Sequence, residues 1–173
     1  ILRNRKGVGE AELDLANEMA INQFIAHHSV IFQPEKKRMW VSTAPWQCGK
    51  YVAYDLNRIF SDSIDFNHEI YTENLTVPAD SFLQQQEYQQ LMTYKRLAPV
   101  LRKQIKKKER LDEQTLHAFQ HANPHFFYVY ELLGDYYHAT GQQDKALRNW
   151  KKALLLPIPK RSESERIEHK INN

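Results

Sequence analysis

The sequence has 173 residues, of which 42% are hydrophobic, 26% charged and 12% aromatic, and it contains one cysteine. This composition excludes a disordered tail, a collagen-like chain and a disulfide-rich miniprotein. The net charge is +3, yet residues 95–110 alone hold eight basic side chains against one acidic side chain. Because the positive charge is local, we expect a solvated helix face there and no nucleic-acid partner. No apolar run reaches the roughly 18–20 residues of a membrane-spanning helix, so no membrane span is expected.

The first third of the chain predicts a short helix followed by a small sheet. Asn17 can cap a helix that places Ile21, Phe24 and Ile25 on one side. Three runs rich in β-forming residues follow, at 27–32, 39–44 and 51–56. Because turn-length segments separate these runs, they predict an antiparallel meander. Three strands cannot cover both of their faces, so we expect one face to lie on further strands or on helices.

A loop is predicted over residues 57–80, and the chain is predicted to be helical from there to its end. Asp80 is the predicted N-cap of the first helix, and Pro99 is expected to interrupt it. Asn123 followed by Pro124 predicts the start of a later helix, and Gly141 predicts its end. The predicted helices cover 81–97, a basic stretch to about 110, 112–122, 124–140, 143–156 and 162–172.

The most specific pattern lies at residues 127–160, where large and small residues recur at fixed spacing over two predicted helices. The pattern consists of Tyr130, Leu133, Gly134, Tyr137, Ala146, Trp150, Ala153 and Pro157. Gly134 and Ala146 would let the helices approach closely, while the aromatic side chains fill the space around them. This set resembles a tetratricopeptide repeat, with Pro157 about one position early.

The sequence contains no second full copy of this pattern, although such repeats usually need about three units for stability. The helices at 81–122 are a candidate degenerate neighbour, and 162–172 is a candidate capping helix. Two interpretations stay open: a single helix pair packed on a host domain, or a groove that binds a protein partner or a second subunit.

A second resemblance covers about residues 1–60. It rests on the succession Ala-Ile-Asn-Gln, Ala-His-His-Ser-Val-Ile-Phe, Met-Trp-Val-Ser-Thr-Ala-Pro-Trp and Tyr-Val-Ala-Tyr-Asp-Leu. This order resembles the C-terminal section of acyl-coenzyme A:6-aminopenicillanic acid acyltransferase-like proteins. The resemblance implies an N-terminal-nucleophile hydrolase fold, with two stacked antiparallel sheets between helical layers. It also implies self-cleavage that exposes an N-terminal cysteine, whose thiol attacks an amide or thioester.

This chain departs from that family pattern at the nucleophile, since residue 1 is Ile and the single cysteine, Cys48, is internal. We therefore expect no catalytic nucleophile in this chain, no cofactor and no activity of the chain alone. His28 and Ser29 are candidates to border the catalytic cleft in the intact protein; the alternative is a histidine held by local hydrogen bonds. The remainder of the parent polypeptide is the expected partner, and the resemblance suggests a bacterial envelope or periplasmic setting.

Two other candidate sites lack residues that catalysis or metal binding would need. Cys48 lies beside Gly49 and Lys50, but no His-Asp pair is evident to activate it. His117 and His121 are four residues apart on a predicted helix, which is too few ligands for a zinc site, so no metal is expected.

Together these observations predict an α+β chain. Residues 1–78 are interpreted as the C-terminal piece of an N-terminal-nucleophile hydrolase sandwich, and 79–173 as a helical segment with the repeat at 127–160. The predicted function is that of the C-terminal portion of an acyltransferase or amide hydrolase. The alternative is a tetratricopeptide-like module for protein interaction.

Overall fold

The computed structural model describes residues 1–13, 15–61, 67 and 69–172. The chain is α+β, as predicted, and divides into two compact units. The sheet unit comprises Ile1–Asn4 and Ile21–Gln85, and the helical unit comprises Arg5–Ala20 and Gln86–Asn173. The predicted loop over 57–80 lies partly outside the described residues.

The sheet unit contains an antiparallel sheet of three strands in the order β1-β2-β3, which confirms the predicted meander. Its elements are β1 (Val30–Gln33), β2 (Arg38–Ser42), β3 (Tyr51–Asp55) and a short helix α1 (Leu56–Ile59). Val41 lies opposite Val30 on one side and Val52 on the other, which fixes the register. The strands are shorter than the predicted runs, and His27, His28 and Ser29 precede β1.

One face of the sheet packs against the segment that follows it. Ser42, Tyr51 and Ala53 are buried on this face. The indole N–H of Trp40 donates a hydrogen bond to the carbonyl of Leu75 at 2.8 Å, which ties β2 to that segment. Because successive side chains of a strand point to opposite faces, the residues between these belong to the other face.

The predicted helix after Asn17 is wrong, since the chain forms turns there. The Oδ1 atom of Asn17 accepts a hydrogen bond from the Met19 N–H at 2.9 Å, and its Nδ2 donates to the Pro157 carbonyl at 3.4 Å. Phe24 has a positive φ of 51° and is fully buried beside Phe82. Capping chemistry and apolar spacing were present, but contacts with residues distant in sequence determine this segment.

Five α-helices are formed by the described residues of the helical unit. They are α2 (Gln86–Lys107), α3 (Glu113–Ala122), α4 (Phe127–Ala139), α5 (Gln143–Leu154) and α6 (Arg161–Asn172). The predicted interruption at Pro99 is wrong, because α2 continues through it. Pro99 is exposed, whereas Leu97, Ala98 and Leu101 are buried. The proline ring therefore faces solvent while packing on the opposite side holds the helix together.

The predicted helix start at Asn123 and Pro124 is also wrong. Helix α4 begins at Phe127, and Asn123 is instead the C-cap residue of α3. The Nδ2 of Asn123 donates to the Leu15 carbonyl at 2.6 Å, so its amide anchors the N-terminal segment of the helical unit. By contrast, Gly141 follows α4 with a φ of 78°, as expected for a residue that ends a helix.

The closest packing in the helical unit is between α4 and α5. Gly134 of α4 lies against the indole of Trp150 of α5, so closely that a Cβ atom on Gly134 would overlap the ring. Ala146 and Ala153, on the same helix as Trp150, are fully buried. Small residues thus bring the two backbones together around one large aromatic side chain.

We expect Gly134→Ala to lower the free energy of unfolding by about 1–3 kcal/mol, because the new methyl group must displace the Trp150 ring. Gly134→Leu should be more severe. Thermal denaturation followed by circular dichroism measures both effects. An exposed helical glycine would gain about 0.5–1 kcal/mol on replacement by alanine, so an unchanged or higher melting temperature would contradict this packing role.

Candidate functional site

Seven of the eight residues of the repeat-like pattern lie on α4 or α5. Tyr130, Leu133, Gly134, Ala146, Trp150 and Ala153 are buried, and Tyr137 is half-buried. Pro157 is exposed and lies beyond the end of α5. Six of the eight predicted positions are therefore buried, and Gly134 and Trp150 contact each other across the helix pair.

Polar contacts along this pair show that the helices are antiparallel. Lys152 lies 4.3 Å from the centre of the Tyr130 ring, and Lys145 lies 5.1 Å from that of Tyr137. Later residues of α5 thus meet earlier residues of α4. These lysines lie over the aromatic side chains of α4. Cations over aromatic faces contribute attraction of about 0.5–1 kcal/mol at exposed sites, so the two contacts stabilise the helix pair.

A buried carboxylate links α4 to α6. Glu131 is 1% exposed and accepts hydrogen bonds from Arg166 at 2.8 Å and 2.7 Å, one on each oxygen. Lys170 donates to Glu131 at 2.7 Å and to both oxygens of Asp135 at 2.8 Å. Asp135 also accepts from the indole N–H of Trp150 at 3.0 Å. Two carboxylates of α4 and two cations of α6 therefore balance their charges, and the Trp150 indole joins α5 to this network.

The environment of Glu131 sets its protonation state. Burial acts to raise the pKa of this carboxyl, but hydrogen bonds and positive charge from Arg166 and Lys170 outweigh burial and hold the pKa below 4.5. Glu131 is therefore ionised at neutral pH.

This ion network was missed in the sequence analysis, although a signal was present. Glu131 and Asp135 are four residues apart, and so are Arg166 and Lys170. Each pair lies on one helix face, and the two pairs have opposite charge.

A cleft of about 470 Å³ lies beside the ion network, among four helices of the helical unit. Its polar lining comes from Asp135, His138, His169 and Lys170, and its apolar lining comes from α2 and α5. His138 is also bound to Gln143, with its Nδ1 at 2.9 Å from the Gln143 Oε1. The cleft therefore offers imidazole, carboxylate and ammonium groups beside an indole.

The predicted cleft candidates of the sheet unit differ in exposure. His28 is exposed, and its ring centroid lies 6.2 Å from that of His27. Ser29 is buried, and its backbone N–H donates to the Ser42 Oγ at 2.8 Å. Its carbonyl accepts from the Ser42 N–H at 2.9 Å. The Ser29 backbone thus belongs to the sheet ladder, whereas His28 is accessible.

Cys48 is fully buried in the sheet unit. The Asn22 Nδ2 donates to its Sγ at 3.3 Å, and its carbonyl accepts from the Asp80 N–H at 2.8 Å. Because solvent does not reach the thiol, a substrate in solution does not reach it either.

The histidine pair of α3 is stacked. The rings of His117 and His121 have centroids 3.9 Å apart, and the Nδ1 of His121 is 2.9 Å from the His117 carbonyl. Among the described residues, no group of three or more potential metal ligands is assembled.

The second face of the sheet is apolar and open. It is formed by alternating residues of all three strands, namely Val30, Phe32, Met39, Val41, Val52 and Tyr54. Val30 and Phe32 are exposed, Phe32 at 64%, whereas Met39, Val41, Val52 and Tyr54 are half-buried. A continuous apolar surface of this kind is typical of a face that another layer covers. We call it the open face.

Comparison with known proteins gives no relative, since no protein-family model, curated protein or solved structure matches this chain. Within the described ranges, no helix has both the length and the apolar character that crossing a membrane requires.

We expect Glu131→Gln to lower the free energy of unfolding by about 1–3 kcal/mol at pH 7, because Arg166 loses its buried anion and Lys170 keeps only Asp135. Since the pKa of Glu131 is depressed in the folded state, its stabilisation is present above pH 4.5 and is lost as the pH falls through the folded value.

Denaturant titrations of both proteins at pH 7 and at several values below pH 4.5 measure this effect. The difference between wild type and Glu131→Gln should narrow as the pH falls. Glu165→Gln is the matched control, because Glu165 pairs with Arg161 on the exposed side of α6. A difference that is independent of pH would show that Glu131 does not act through its charge.

Proposed function

We propose that this chain is the C-terminal portion of an acyltransferase or amide hydrolase of the N-terminal-nucleophile class. The open face is the observation that carries the proposal. Enzymes of this class stack two sheets, and each sheet needs one apolar face toward the other. A sheet of three strands with a second face of valine, methionine and aromatic side chains fits one layer of such a sandwich.

In the proposed reaction, the nucleophile is an N-terminal cysteine on the polypeptide that supplies the other layer. Its thiol attacks the carbonyl carbon of an amide or thioester, and the α-amine of the same cysteine takes the thiol proton. The amine or thiol of the substrate leaves, and the acyl group passes to water or to an acceptor amine. The accessible His28 would lie at the border of the cleft, where it could contact the substrate.

The proposal is tested on the longest reading frame that contains these residues. We expect an in-frame cysteine at a self-cleavage site, which mass spectrometry of the purified product would reveal, and turnover of acyl amides after cleavage. Val41→Lys, at the centre of the open face, should abolish both in the longer polypeptide, while Leu155→Lys, an exposed position of the helical unit, should not. Absence of such a cysteine, or unimpaired cleavage in Val41→Lys, would overturn the proposal.

Residues 1–173 alone are expected to hydrolyse no acyl amide or thioester, since their single thiol is buried. Chromatographic detection of product from an acyl-amide panel checks this expectation. Turnover that disappears in Cys48→Ala would contradict it, because that result would make Cys48 the nucleophile.

A second candidate function is favoured by the helical unit. The close approach of Gly134 to Trp150, together with the cleft among α2, α4, α5 and α6, fits a tetratricopeptide-like module that holds a protein partner. The same reading frame separates the two candidates. Further copies of the helix-pair pattern would favour the interaction module, and a self-cleavage cysteine would favour the enzyme.

A further inference from the structure

The outer edge of β1 carries unpaired backbone groups. Ser29 and Ser42 are opposite each other and joined by a backbone hydrogen bond. Hydrogen-bonded and non-hydrogen-bonded pairs alternate along antiparallel strands, so Ile31 and Gln33 direct their N–H and C=O groups toward β2. The N–H and C=O groups of Val30 and Phe32 therefore point away from the sheet. Nothing in the described part of the chain hydrogen-bonds to these four groups.

At the opposite edge of the sheet, the backbone groups of β3 are hydrogen-bonded. Tyr51 exchanges two backbone hydrogen bonds of 3.0 Å with Val77. The Ala53 carbonyl accepts from the Thr72 N–H at 2.8 Å, and the Ala53 N–H donates to the Thr76 Oγ1 at 3.2 Å. The residues that the structure describes thus satisfy the edge of β3 and leave the edge of β1 unpaired. Open edges are normally blocked by charged residues, proline or a bulge, and the sequence Val-Ile-Phe-Gln has none of the first two.

We propose that β1 pairs with β1 of a second copy of this chain, in antiparallel orientation about a two-fold axis at Ile31. In this register Val30 lies opposite Phe32 of the other copy, and Phe32 lies opposite its Val30. Each of these two pairs exchanges two hydrogen bonds, so all four free groups of each copy find partners. The proposal concerns the edge of the sheet and does not depend on the function proposed for its open face.

The backbone donors and acceptors of this edge are complementary to those of an identical edge, which favours a second copy as the occupant. Each outward donor meets an outward acceptor, because the free groups are arranged symmetrically about Ile31. No charged side chain lies between Ser29 and Gln33, so the pairing brings no like charges together within the strand. A cleft of about 540 Å³ borders the same edge, with a mostly apolar lining that includes Leu2, Ile31 and Val77 and one charged residue, Arg3. The two Ile31 side chains would meet there as a close, non-hydrogen-bonded pair.

The register gives a charge-swap experiment. In sedimentation equilibrium over a range of concentrations, the wild-type chain should form a reversible dimer. Ile31→Lys alone and Ile31→Glu alone should each weaken the dimer by about tenfold, because like charges would lie directly opposite each other. An equimolar mixture of the two variants should dimerise again. Leu155→Lys, which adds the same charge to an exposed apolar position of α5's C-cap, is the matched control.

Phe32→Pro provides a second test, because it removes an outward N–H without removing a bond to β2. We expect a monomer with an unchanged circular dichroism spectrum. A wild-type chain that stays monomeric at every concentration would overturn the proposal, and would be the result if a different polypeptide occupies this edge. Failure of the Ile31→Lys and Ile31→Glu mixture to dimerise would overturn the register, as would equal weakening by Leu155→Lys.

Discussion

The close approach of Gly134 to the Trp150 indole is the constraint on which the helical unit depends. It brings α4 and α5 together and orients the indole so that its N–H reaches Asp135. Asp135 shares Lys170 with Glu131, and Glu131 holds Arg166. Because Gly134 has no side chain, the Trp150 ring can pack against it and bond Asp135. The carboxylates of Asp135 and Glu131 in turn hold α6 in place.

Backbone hydrogen bonds hold the sheet unit together, and only one of the two faces of its sheet is covered. One face is closed by the segment that contains Leu75 and Val77, which accepts the indole N–H of Trp40 and completes the edge of β3. The other face shows only apolar side chains. A buried face supplies the stability of the unit, and we propose that a further layer covers the open face.

The sequence was sufficient where local patterns and tertiary contacts agree. The three strands, the helices around Gly141 and the close approach of two helices at Gly134 could be predicted, because strands, helix ends and small residues each leave a local signature. It was insufficient where a distant partner decides. The Asn123 side chain donates a hydrogen bond to the Leu15 carbonyl and does not begin a helix. Charge pairs such as Glu131 with Arg166 require knowledge of which helices are neighbours.

The hydrogen bonds that Val77, Thr72 and Thr76 make to β3 limit how this sheet can grow. When a second copy pairs with the edge of β1, the outermost strand of the enlarged sheet is the β3 of that copy. The backbone groups of that β3 edge are already hydrogen-bonded. Growth by this route is therefore self-terminating: it yields a closed, two-fold symmetric object and not a fibre.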